Sequence, residues 1–161
     1  METPLQKMRI PVAFPIGLLL AFTVLSSLLL AVTPSRDPWT TAELITPDAF
    51  VKQLEGGAAT KTHVACVAFN FMYKAAHIPG AVYIGPGRDT SAIRRLKAWA
   101  SKLPKADPVL IYCGCCPMKE CPNVRPAFMA LKEMKFTHVM ALDIPQNFAR
   151  DWVSKGFPVQ K

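Results

Sequence analysis

Apolar residues along the chain follow two different patterns. From Ile10 to Val32 they run almost unbroken and without a charge (IPVAFPIGLLLAFTVLSSLLLAV). From about residue 46 onward they come in short blocks separated by polar turns. Thr46-Pro47-Asp48 is a helix start: Thr46 caps, Pro47 suits the first helical position, and Phe50, Val51 and Leu54 form one apolar face before Gly56-Gly57. The run 63–71 (HVACVAFNF) is short, apolar and rich in β-formers, so it predicts a buried strand. A tight connection at 76–81 leads to a short strand at 82–84 and the turn Gly85-Pro86-Gly87. Residues 91–103 (SAIRRLKAWASKL) place Ile93, Leu96, Trp99 and Ala100 at helical spacing, and Pro104 ends them. A strand at 109–112, a helix at 126–134, a strand at 139–142 and a helix at 147–155 complete the pattern. Strands alternate with helices, which predicts an α/β domain with a mostly parallel sheet.

The uniform run at 10–33 is of another kind. It is long enough to cross a bilayer, which takes roughly 20 residues as a helix. Lys7 and Arg9 precede it, so the order of charges predicts a cytoplasmic n-region at 1–9 and an exported remainder. Ala31-Val32-Thr33-Pro34-Ser35 holds no clean small-x-small cleavage site, and no cysteine follows the run. The expectation is a single-pass, uncleaved signal anchor in a bacterial-type inner membrane with the domain on the periplasmic side. A cleaved signal peptide and a secreted or periplasmic protein is the alternative. Residues 34–45 (PSRDPWTTAELI) then serve as a linker, and 46–161 as the domain.

The 161 residues carry a formal net charge of +8. Their basic residues are scattered rather than interleaved with exposed aromatics, which argues against a nucleic-acid partner. No Ser-His-Asp set, paired carboxylates, Gly-rich phosphate loop or zinc-protease signature is present, so no cofactor is called for.

The chemistry concentrates in CGCCPMKECPNVR, residues 113–125, where four of the five cysteines lie directly after the apolar run Val109–Tyr112. In open α/β sheets ligands bind beyond the carboxyl ends of strands. Cys113 is the first residue past such a strand and a helix starts soon after, so loop amides and the helix N-terminus are expected to lower its thiol pKa. Arg125 and Lys119 add positive charge for a sulfur oxyanion. The site is built for a nucleophilic sulfur meeting an anion.

Cys115, Cys116 and Cys121 admit three readings. They resolve or relay what forms on Cys113. Alternatively, Cys113, Cys115, Cys116 and Cys121 gather a soft metal such as Cu(I), or a partner's thiol, without turnover. In the third reading Cys121 pairs with Cys115 or Cys116 and pins the loop. Adjacent Cys115-Cys116 do not suit a structural zinc, whose ligands usually come as C-x2-C twice. His77 reads as a hydrogen-bonded turn residue.

The order of motifs resembles the rhodanese-like sulfurtransferase family: HIPGA at 77–81, YC at 112–113, LKEMKFTHVMAL at 131–142 and DWVSKGFPV at 151–159. The resemblance implies a rhodanese-like open parallel sheet flanked by helices. It implies Cys113 as the residue that takes a sulfane sulfur from thiosulfate or another donor, becomes a persulfide, and passes the sulfur to a thiophilic acceptor or protein thiol. It also brings a third possibility, since longer loops in this superfamily accommodate the tetrahedral oxyanions of phosphatases and arsenate reductases. Three places depart from the family pattern, the first being Ala76, where a glycine usually precedes the His. Cys66 and Ala68 stand where an Asp-x-Arg pair is usual, and the loop after Cys113 is several residues longer, with Pro117 and Pro122 each lacking an N–H.

Overall fold

The computed structural model describes residues 37–161. Their centre is a five-stranded sheet in which every pair is parallel, in the order β1-β5-β4-β2-β3. The strands are β1 (Leu44–Ile45), β2 (His63–Cys66), β3 (Val82–Tyr83), β4 (Val109–Tyr112) and β5 (Val139–Leu142). The helices are α1 (Pro47–Glu55), α2 (Asn70–Ala75), α3 (Thr90–Ala100), α4 (Val124–Glu133) and α5 (Phe148–Asp151). β4 is central and all four of its residues are buried, as expected of a parallel strand covered on both faces. It is in register with β2 (Cys66 opposite Tyr112) and with β5 (Ile111 opposite Ala141).

Local chemistry places most elements where the pattern does. Thr46 Oγ1 accepts the Ala49 N–H at 3.3 Å and Pro47 opens α1. The fully buried Trp152 stacks on Phe148, and its indole N–H donates to the Pro158 carbonyl at 2.8 Å.

Three expectations are corrected. The strand expected over 63–71 stops at Cys66, and α2 begins at Asn70; a short apolar run does not by itself separate strand from helix. The described part of the expected linker, 37–45, is instead part of the domain. Leu44 and Ile45 pair with Ala141 and Leu142, and buried Trp39 packs edge-on against Phe128 with ring centroids 5.6 Å apart. The last helix is split, since α5 ends at Asp151 and a 3-10 turn, Val153–Lys155, follows. Among the described residues no helix is long and apolar enough to cross a membrane. The n-region at 1–9 and the signal anchor at 10–33 lie outside the described residues.

Because the strands are parallel, the loops after β2, β3, β4 and β5 share one edge of the sheet, and backbone bonds join them there. Val67 N–H donates to Tyr112 O at 2.8 Å, Met118 N–H to Ile144 O at 2.9 Å, and Phe148 N–H to Gly114 O at 2.9 Å. Gly87 lies so close to the Asn123 carbonyl that a Cβ there would come within 2.0 Å of its oxygen.

Candidate functional site

The long loop 113–123 folds back over that carboxyl edge. Tyr112 anchors its start: the phenol oxygen accepts the Ile78 N–H at 3.2 Å, tying β4 to the His77–Ala81 turn. His77 itself is buried, stacked on Tyr73 with ring centroids 3.8 Å apart, and its Nδ1 lies 2.8 Å from the Tyr73 carbonyl. It is a structural residue of the turn. Gly114 turns the chain with φ +74°, and a Cβ there would meet Phe148 Cβ at 2.5 Å. A 3-10 turn at Met118–Glu120 carries the chain round to Cys121 and Asn123, and α4 begins at Val124.

This path collects sulfur. Cys113 and Cys121 are buried, while Cys115 and Cys116 are half-buried. Cys113 Sγ lies 3.2 Å from Cys115 Sγ, and Cys115 Sγ 3.3 Å from Cys116 Sγ. The sulfurs of Cys113, Cys115 and Cys121 all fall within 4.8 Å of one another. All five cysteines are free thiols, and Cys66 is buried apart in β2, where burial pushes its thiol pKa up.

The charge is not distributed as the sequence predicts. The depressed thiol is Cys121, lowered to about 6. The Cys113 thiol donating to it is the largest cause, and burial opposes it. The backbone N–H groups of Asn123 and Val124, where α4 begins, add to the lowering. Cys113 moves the other way: it is raised, first because it donates to the Cys121 sulfur and then by burial. The Asn123 amide and the Cys115 N–H act against that rise. Cys116 is pushed up to about 12, by burial first and then by its bonding with Cys115. The amides where α4 begins thus act on Cys121, the cysteine nearest the helix, rather than on Cys113.

Asn123, which sequence reasoning does not single out, organises the cluster. It is fully buried, and its Nδ2 lies 3.3 Å from Cys113 Sγ and 3.7 Å from Cys115 Sγ. Its Oδ1 accepts the Arg88 N–H at 3.3 Å. The only signal in the sequence is an asparagine directly before a helix, which ordinarily reads as a cap. Here the side chain caps nothing and turns to the sulfurs instead.

The two expected anion-binding residues sit differently. The Arg125 guanidinium is taken up by the loop itself, donating to Asp37 Oδ1 (2.8 Å), Cys121 O (2.9 Å) and Lys119 O (2.6 Å), and lying over the Trp39 ring. It clamps the loop rather than presenting a free fork to an oxyanion. Lys119 is exposed, and its carbonyl is one of those acceptors.

The profile of the Rhodanese-like domain matches residues 46–143. Among solved structures, the rhodanese-like domain of an Anabaena protein superposes with a TM-score of 0.54 at 20% identity, covering 73% of this chain and 78% of that one. A Bacillus halodurans protein gives 0.55 at 19%, covering 72% and 74%. A Rhodopseudomonas palustris protein of unknown function, described as a possible tyrosine phosphatase, gives 0.53 at 15%, covering 96% and 100%. At these identities the likeness is one of fold. No curated protein matches the chain. With more than half of its length matched by the family profile, a parallel sheet in the order described and a cysteine directly after the central strand, the chain belongs to the rhodanese-like domain family.

Proposed function

We propose that the domain is a sulfurtransferase and thiol relay in which sulfane sulfur passes through a Cys113 persulfide. The observation that carries this reading is the contact between Cys113 and Cys115, with sulfurs 3.2 Å apart and one amide, Asn123 Nδ2, reaching both. Cys121 is the base. Its sulfur lies within 4.8 Å of Cys113 Sγ and its thiol is lowered to about 6, so a proton passing from Cys113 to the Cys121 thiolate leaves Cys121 as thiol and Cys113 as thiolate. Asn123 Nδ2 then donates to the new charge. The Cys113 thiolate attacks the outer sulfur of thiosulfate, the S–S bond breaks, and sulfite leaves with the electron pair. The persulfide's outer sulfur next meets the thiolate of half-buried Cys115, which takes it as the Cys113 thiolate departs and passes it in the same way to an acceptor thiolate.

Hydrolysis of a larger oxyanion finds less support. Arg125 is engaged by Asp37 and two carbonyls, and Pro117 and Pro122 offer no N–H to an anion.

The test is single-turnover sulfite release from thiosulfate. Cys113→Ser is expected to abolish it. Cys115→Ser is expected to keep the first turnover and lose transfer onward to an acceptor thiol. Sulfite release that survives Cys113→Ser sinks the assignment.

The membrane placement is a proposal from the sequence alone. The charge-free run 10–33 after Lys7 and Arg9 is taken as an anchor that holds the domain on the exported side. Protease added to spheroplasts then degrades the domain. A domain protected until lysis contradicts this.

A further inference from the structure

We propose that Cys113, Cys115 and Cys121 form a three-sulfur site for monovalent copper, with Cys116 as the thiol through which the ion enters and leaves.

The four loop cysteines divide into three and one. The sulfurs of Cys113, Cys115 and Cys121 lie within 4.8 Å of one another, and Cys116 falls outside that group, with its sulfur 3.3 Å from that of Cys115 and also interacting with Cys121. Three sulfurs bonded to one ion at about 2.3 Å in a plane stand about 4 Å apart. The loop reaches that shape by side-chain adjustments of less than about 1 Å from the 3.2 Å Cys113–Cys115 contact.

The donors choose the ion. Among the described residues no imidazole or carboxylate joins the three sulfurs, and an all-thiolate set selects soft metals. Zinc asks for a fourth ligand, or for an open position holding water. Here the fourth sulfur lies outside the group of three, and Cys113 and Cys121 are only 3% and 1% exposed, away from bulk solvent. A trigonal, soft, monovalent ion fits what remains.

The surroundings fit the charge. Three thiolates around one monovalent cation carry two net negative charges. Asn123 Nδ2 donates toward the sulfurs of Cys113 and Cys115, and the N–H groups of Asn123 and Val124 toward that of Cys121. Donors of this kind hold metal-binding sulfurs in place. The half-buried pair Cys115-Cys116 gives a stepwise route: an ion arriving on Cys116 shifts to Cys115 and then inward by ligand exchange, without change of oxidation state. Cys113 cannot hold copper and a persulfide at once, so copper is expected to inhibit sulfur transfer.

The experiment uses the full-length chain, reduced, in mild detergent and without oxygen, titrated with Cu(I) against a chromophoric Cu(I) chelator. One ion per chain and a shell of three sulfurs by X-ray absorption are expected. Cys113→Ser, Cys115→Ser and Cys121→Ser should each weaken binding by more than about 100-fold, beyond the loss typical of an indirect effect. Cys116→Ser should keep the stoichiometry and slow exchange with the chelator. Wild-type protein that yields all its copper to the chelator, a shell of two or four sulfurs, or unchanged binding in Cys121→Ser overturns the proposal. The X-ray absorption result stands on wild-type protein and does not depend on variants folding. Thiosulfate labelling of the same preparation separates the two readings: persulfide without copper sinks only the copper site, and copper without persulfide sinks only the relay.

Discussion

The side-chain amide of Asn123 donates to Cys113 Sγ across 3.3 Å while its oxygen accepts the Arg88 N–H, so one buried side chain joins the loop after β3 to the reactive loop after β4. A hydrogen bond to a charged group is worth roughly 1.5–3 kcal/mol. Asn123→Ala should therefore slow sulfite release from thiosulfate by roughly 10- to 100-fold. It should also lower stability to urea by about 1–3 kcal/mol, because the Arg88 N–H loses its partner. Asn123→Asp, which only accepts when ionised, should be as slow at neutral pH. An Asn123→Ala rate equal to wild type would make the residue purely structural.

The thiolate assignment predicts a pH signature. Absorbance near 240 nm should rise by one thiolate with a midpoint near pH 6, and Cys121→Ser should remove that step. Stability follows from the same shift. Cys121 sits at about 6 when folded against its ordinary 9.0, so between these values the unfolded chain binds the extra proton and folding grows more favourable as pH rises. This contribution is lost as pH falls through 6. Above 9 the elevated Cys116, pushed up to about 12, reverses the slope. Thermal melts from pH 5 to 11 check both arms.

Gly114 is bound by backbone geometry and by space. Its φ of +74° disfavours a side chain, and a Cβ would come within 2.5 Å of Phe148 Cβ. Gly114→Ala should cost more than about 2 kcal/mol in urea unfolding, the sum of left-handed strain and displacement of Phe148. A melt unchanged within error would contradict this account of the turn.

Arg125 binds no anion in this account. Arg125→Ala should lower the melting temperature and change Trp39 fluorescence, since the ring loses its guanidinium neighbour at 5.4 Å. The thiosulfate KM should change less than about threefold, against the roughly tenfold or more expected from deleting a charged contact to substrate. A large rise in KM with an unchanged melt would restore Arg125 as an anion-binding residue.

Much of the fold is legible in hydrophobic spacing. Val109–Tyr112 and Val139–Leu142 occupy the strands expected of them, because a buried parallel strand is a bare apolar run. Thr46 and Pro47 mark the start of α1 through local capping chemistry. The failures are also physical. β1 has two residues, too few to show a period, and its place in the sheet comes from pairing with β5 nearly a hundred residues away. Asn70 and Phe71, which open α2, read as strand because the run before them is apolar and aromatic. In the site, the four crowded cysteines are visible as a motif, but which one carries the charge is not. That depends on which sulfur meets the amides at the start of α4, a relationship set by the path of the loop. Asn123 is hidden for the same reason, since its role lies in where its amide points.

The most direct measurement is the intact mass of the reduced full-length chain before and after thiosulfate, with peptide mapping. The account predicts a gain of one sulfur atom, mapped to Cys113 and absent in Cys113→Ser. No gain, or a gain that maps to another cysteine and survives Cys113→Ser, would contradict it.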